Sequence, residues 1–185
     1  MALGSDFTNH AVIIYDNGGN IVAETVVVDC DRALSIIGVE VQFDLRAGDT
    51  VQLVIFTEPV PCSFQGKLMA RLQGIQRISL NSGHLKEDRQ AARHKIDAPA
   101  IIESVMRDNE LVAADAFTVK LMNISQSGVR FIGVPGKLRI EDQVQMKLMR
   151  GTVDHTLIAE VVNSKDTGRG YLEYGCRFLQ RGKLT

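Results

Sequence analysis

Apolar residues along this chain come in short runs, many with polar residues at alternate positions, separated by clusters of Gly, Asn, Asp and Ser. Alternation of that kind between turn residues is the pattern of half-buried strands. The spacing predicts strands over Ala11–Tyr15, Ile21–Val28, Val39–Phe43, Thr50–Phe56, Ser63–Met69 and Ile75–Leu80. A second series follows at Ala98–Met106, Ala116–Met122, Val129–Val134, Gln143–Met149, Thr156–Val162 and Tyr171–Leu179. The cluster Asp16–Asn20 between the first two supplies residues that tolerate positive φ, as a hairpin requires. Long 3.6-residue periodicities are missing. The fold class expected is all-β, as two small antiparallel β-barrels in tandem.

The polar stretch Asn81–Asp88 reads as a linker. It divides the chain into an N-terminal barrel, 1–84, and a second barrel, 85–185. A faint internal echo accompanies the division. Leu45-Arg46-Ala47-Gly48-Asp49-Thr50-Val51-Gln52 matches Leu138-Arg139-Ile140-Glu141-Asp142-Gln143-Val144-Gln145 at Leu, Arg, Asp, Val and Gln. Both segments fit a loop turning into a half-buried strand. A shared turn geometry explains that as well as a literal repeat does, and two similar folds in tandem fit it better than a repeat.

Composition narrows the function. The 185 residues are 45% hydrophobic and 23% charged, with a net charge of −1. That supports real cores but not a broad basic surface, so neither DNA nor RNA nor an acidic membrane is expected as a general partner. Any anion site has to be local. Cys30, Cys62 and Cys176 are widely separated and read as buried thiols of a reducing compartment, and the four histidines have no metal-ligand spacing. No run reaches the ~18 apolar residues of a membrane span and no leader is evident, so a cytoplasmic protein without metal or cofactor is expected.

The candidate chemistry lies in two separated elements. Arg89 and Arg93 form Arg-x-x-x-Arg, and thirty positions after Arg93 begins Asn123-Ile124-Ser125-Gln126-Ser127-Gly128, or Asn-x-Ser-x-x-Gly. Arginine presents a planar fork of donors, always charged, that suits phosphates, guanine O6 and N7, and stacking on a purine. Asn123 offers both donors and an acceptor, Ser125 adds a hydroxyl, and Gly128 permits close backbone approach or positive φ. An arginine pair alone means little, because Arg177 and Arg181 repeat the spacing with no second element after them.

Together, the two elements resemble the signature of the PilZ domain, a bacterial receptor for cyclic di-GMP. Ser125–Phe131 and Tyr174–Phe178 are similar to the family's third-strand and last-strand wording. The resemblance implies a six-stranded barrel over 85–185 with an arginine-bearing lead-in at 85–95. It implies that Arg89 and Arg93 hold phosphate and guanine, and that Asn123, Ser125 and Gly128 line the guanine pocket. Residues 1–84 resemble the barrel that precedes PilZ in flagellar-brake-type proteins. Two departures stand out. Only Leu179–Thr185 follow Phe178, too few for the family's usual C-terminal helix. Asp88 occupies the position before Arg89 where a basic residue accompanies a stacked ligand pair, which favours one ligand per site.

The expectation is therefore a non-enzymatic receptor. Ligand would bind where the two barrels join, alter their arrangement, and so engage a downstream protein target in motility, biofilm or envelope processes. The alternative is a ligand-free PilZ-like adaptor that only docks on a protein. An enzyme using Ser125 as nucleophile fails chemically, because no Gly-x-Ser-x-Gly elbow surrounds it and no base is placed to activate it.

Overall fold

The computed structural model describes residues 3–41, 44–57, 60–81, 93–113, 115–150 and 153–179. Among these there is no helix. The first six strands are β1 (Ala11–Tyr15), β2 (Ile21–Asp31), β3 (Ile36–Val39), β4 (Thr50–Ile55), β5 (Cys62–Leu68) and β6 (Gln76–Leu80). They close into an antiparallel barrel in the order β1-β2-β3-β6-β5-β4, with β4 returning to β1. The remaining strands are β7 (His94–Arg107), β8 (Glu110–Ala113), β9 (Phe117–Ile124), β10 (Gly128–Gly133), β11 (Gln143–Arg150), β12 (Val153–Asp166) and β13 (Leu172–Phe178). Their order is β11-β12-β13-β10-β9-β7, closed by β11 pairing with β7, and β8 is added at the edge of β7. The two barrels form two compact units.

Leaving β8 aside, the two rings have the same connectivity. In each, the second strand pairs with the first and third, the sixth with the third and fifth, and the fourth closes on the first. The echo between residues 45–53 and 138–146 is where the likeness reaches single atoms. Asp49 and Asp142 each accept a hydrogen bond from the backbone N–H three residues earlier, of Arg46 at 2.9 Å and Arg139 at 2.8 Å. The residues before them, Gly48 and Glu141, both have positive φ, 99° and 75°. Each donates its N–H to the adjacent strand at 2.8 Å, Gly48 to the Leu68 carbonyl and Glu141 to that of Val161. One turn thus delivers the chain into β4 and β11. Glycine adopts that φ without strain; Glu141 does so at some cost.

Inward positions fill each barrel. Val12, Ile14, Val27, Ile37, Leu53, Ile55 and Ile78 pack the first. In the second, β7 alternates buried His94, Ile96, Ala98, Ala100 and Ile102 with exposed or half-buried residues. Phe131 and Tyr174 are fully buried with ring centroids 5.4 Å apart. A side chain of this kind stabilises by roughly 1.5–3 kcal/mol through burial.

Several strands differ from the sequence expectation, for identifiable reasons. β2 continues past a bulge at Val28 to Asp31 with half-buried residues, and β7 starts at His94 rather than Ala98, because Lys95 and Asp97 take outward positions between buried His94, Ile96 and Ala98. β3 lies at Ile36–Val39, upstream of the segment expected at Val39–Phe43. Gly38, which interrupts that run, is a packing requirement: a Cβ there would stand 2.7 Å from Ile75 Cγ2. The short β8 was not expected; it follows a two-residue turn in which Asp108 and Asn109 both have positive φ, as a type I′ hairpin demands. Of the three thiols only Cys176 is fully buried, and burial pushes it up to about 12; Cys30 and Cys62 are partly exposed.

One contact separates the two echo turns. Asp142 is 1% exposed and takes the Arg107 fork on both oxygens at 2.7 Å, from Nε and from a terminal nitrogen. This charge-assisted pair holds the Arg107 guanidinium above its ordinary value and ties the end of β7 to the turn before β11. Asp49 is exposed, and its carboxylate holds the turn through the Arg46 N–H. In urea titrations followed by circular dichroism, Asp142→Ala is expected to cost clearly more than Asp49→Ala, because it removes the two-point Arg107 contact as well as the turn bond. Asp49→Ala is expected to cost about 1 kcal/mol, one backbone bond. Equal losses would mean that the Arg107 pair adds nothing beyond the turn.

Candidate functional site

The Asn-x-Ser-x-x-Gly element spans the β9–β10 connection. Asn123 and Ile124 end β9, Gly128 begins β10, and only Gln126 and Ser127 lie between paired Ser125 and Gly128. The Ser125 N–H donates to the Gly128 carbonyl at 2.9 Å, and the Ser125 hydroxyl reaches the same carbonyl and the Ser127 hydroxyl, both at 3.3 Å. Ser125 is buried, so its hydroxyl serves first to hold the turn. The Phe178 N–H donates to the Ser127 carbonyl at 3.0 Å, fastening the turn to the last strand.

Gly128 is fixed by space rather than by φ. A Cβ on it would lie 2.0 Å from the Cys176 carbonyl oxygen and 3.3 Å from the Arg177 Cα, both backbone atoms that no side-chain adjustment can move aside. Gly128 faces Arg177 in the β10–β13 register. Its bareness lets the two strands meet where the turn begins.

Asn123 occupies an outward position because β9 carries a bulge. Leu121 pairs with Phe131, and Asn123 with Arg130, so Met122 is the extra residue. Bulges re-aim side chains. On the other side Lys95 pairs with Asn123 and His94 with Ile124, and Arg93 is the residue immediately before this paired end of β7. Arg93 and Lys95 are exposed. Register and the turn bond thus bring together Asn123, Ser125 and Gly128, with Lys95 against Asn123. Arg89 lies outside the described residues, as does most of the lead-in expected at 85–95, whose last two residues, His94 and Lys95, belong to β7.

His94, beside Arg93, is 4% exposed, and burial lowers its pKa. His94 takes an inward position, so the cations on the outer face here are Arg93, Lys95 and Arg130. Sequence reasoning also set Arg177 aside, because no second element follows the Arg177 and Arg181 pair. The structure places it opposite Gly128, where it is exposed and paired to Glu160 at 3.1 Å. Arg130, next to Asn123, was missed as well; its place two residues beyond Gly128 on an outward position was the available signal. Among the described residues no group of three or more His, Cys, Asp or Glu is placed to hold a metal ion. No helix there is long and apolar enough to cross a membrane.

The model of the PilZ domain family matches residues 87–183, more than half of the chain. The chain belongs to the PilZ domain family. The domain so matched contains the second barrel, with Arg89, Arg93 and the β9–β10 turn inside its bounds. No curated protein matches the chain. Among solved structures, it is similar to MrkH from K. pneumonia in complex with c-di-GMP, at 14% identity over 94% of this chain and 80% of that one, with a TM-score of 0.40. A Bacillus subtilis inhibitor of motility, MotI/DgrA, is similar at 11% identity over 96% and 90%, with a TM-score of 0.38. YcgR from Escherichia coli in complex with c-di-GMP is similar at 11% identity over 95% and 78%, also with a TM-score of 0.38.

The first barrel has its own edge at the matching place. Asp29 follows a one-residue bulge in β2 as Asn123 does in β9, and the Leu80 N–H donates to the Ser35 carbonyl as that of Phe178 does to Ser127. There, however, Asp29 and Asp31 stand where the PilZ domain has Asn123 and Ser125, and Arg77 is ion-paired to Asp29. Two carboxylates repel a phosphate, so this edge of the first barrel is unsuited to an anion.

Gly128→Ala is expected to lower stability by about 2–3 kcal/mol in urea titrations, through forced separation of β10 from β13. Gly133→Ala, on the same strand, meets Val119 Cγ1 at 3.3 Å, a side-chain atom that can yield, and should cost less than half as much. Equal costs would mean that the approach at Gly128 is not the tight one.

Proposed function

We propose that this protein is a non-catalytic receptor for cyclic di-GMP. Arg89 and Arg93 clamp the phosphates and a guanine from the lead-in, while Asn123, Ser125 and Gly128 line the guanine pocket on the β9–β10 turn. The observation that supports this reading is the register that lays Lys95 against Asn123, with Arg93 just before that strand and the turn closing at Gly128. A guanine-bearing cyclic diphosphate needs planar cationic donors on one side and a mixed donor–acceptor edge on the other, and this edge offers both. Membership of the PilZ family supports the same ligand.

The domain assignment within the proposal is 1–84 for the N-terminal barrel and 85–185 for the PilZ domain. The segment carrying Arg89 and Arg93 joins the two in sequence, so its closure on ligand changes the inter-domain arrangement and presents a new surface to a downstream protein. A net charge of −1 favours a protein target over nucleic acid. MrkH, by contrast, is described as a c-di-GMP-dependent transcription regulatory factor.

Calorimetric titration with cyclic di-GMP tests the reading. Wild type should bind, and Arg89→Ala and Arg93→Ala should each weaken binding by on the order of 2–4 kcal/mol, the loss of a charge-assisted contact. Arg71→Ala, on an exposed turn of the first barrel, should leave affinity unchanged. No heat from folded wild type at high micromolar ligand would leave the ligand-free adaptor as the remaining reading.

A further inference from the structure

The outer face of the second barrel carries a row of polar positions set by register. Lys95 on β7 faces Asn123, Asn123 faces Arg130, Arg130 faces Gly175 on β13, and Gly175 faces Asn163 on β12. Directly opposed residues share a face, with Cβ atoms about 5 Å apart. Val129 and Phe131 are buried, so Arg130 between them points outward, beside Asn123. On its other flank Gly175 offers no side chain. Asn163 lies over that glycine, its Oδ1 2.5 Å from where a Cβ would stand, and closes the far end of the row.

Arg130 is held by Glu173 at 3.0 Å, with the two side chains 36% and 30% exposed. Glu173 faces Ile132, further along β10 from the Asn123–Gly128 turn, so the ion pair draws the guanidinium away from that turn. A pair this exposed is weak and screened by salt. A guanidinium has five donors, and the contact with Glu173 is through a single terminal nitrogen. Arg130 can therefore exchange the carboxylate for an anion or a purine edge presented beside Asn123. Arg177 is placed differently: Glu160 lies directly across from it and the bare Gly128 is its other neighbour.

Resting on the reading that this edge binds cyclic di-GMP, we propose that Arg130 is a third arginine of the ligand site and that Glu173 sets ligand affinity by competing for it. Without ligand the ion pair holds Arg130 back. With ligand bound, the guanidinium turns toward the phosphate or guanine edge next to Asn123 and Glu173 is released to water.

The test is a calorimetric cycle with cyclic di-GMP on the full chain. Glu173→Gln is expected to tighten binding about threefold to fivefold, the scale of a surface ion pair. Arg130→Ala is expected to weaken it at least tenfold or so, as loss of a charge-assisted contact does. The double variant should match Arg130→Ala, because the glutamate acts only through the arginine. Urea midpoints of all three variants, close to wild type, establish that they fold. Unchanged affinity in Glu173→Gln would overturn the proposal. So would tightening that persists in the Arg130→Ala background, since that is a general charge effect. If Arg93→Ala abolishes binding and Arg130→Ala leaves it intact, this inference falls and the receptor reading stands. If folded wild type binds nothing, both fall.

Discussion

Everything at the site depends on one close approach, that of Gly128 to the Cys176 carbonyl. Because no atom stands on the Gly128 Cα, β10 can lie against β13 at its first residue, and the turn before it is pinned by the Phe178 N–H to the Ser127 carbonyl. That fixes where β9 ends. The bulge at Met122 then turns Asn123 outward, and the β7–β9 register lays Lys95 against it. Asn123 and Gly128 are held by backbone pairing between strands. Such support keeps donors close to productive geometry before any ligand arrives.

The same connectivity has been given opposite chemistry in the first barrel. Both rings share strand order, the turn at Asp49 and Asp142, and the bond that fastens the second connection to the last strand. Where the second barrel exposes an asparagine beside arginines, the first exposes aspartates and spends its nearby cation, Arg77, on one of them. Similar scaffolds with different edges are what site chemistry grafted onto a common fold looks like.

Much of this was legible in the sequence, and the exceptions have physical causes. Strand alternation located most strands, because each barrel has one apolar face. It failed at Ile36–Val39, where Gly38 interrupts an otherwise apolar run for a packing reason, and at Glu110–Ala113, a hairpin extension in which Glu110, Leu111 and Val112 are exposed. The site motif was legible because Arg93, Asn123, Ser125 and Gly128 form local patterns. Arg130, Glu173 and Arg177 were not, because their relation to the turn depends on cross-strand register among β9, β10, β12 and β13. Sequence spacing carries no trace of that register. The echo at Asp49 and Asp142 was visible, but only the shared hydrogen bonds show it to be one turn used twice.

The central claim is that a single edge of the second barrel, and not its counterpart in the first, receives cyclic di-GMP. Amide spectra of the isotopically labelled chain, recorded through a titration with cyclic di-GMP, test it most directly. The account predicts the largest shifts at Arg89–His94 and Asn123–Gly128, with Asp29–Ile36 unmoved. Largest shifts at Asp29–Ile36, or none at Asn123–Gly128 when ligand is saturating, would contradict it.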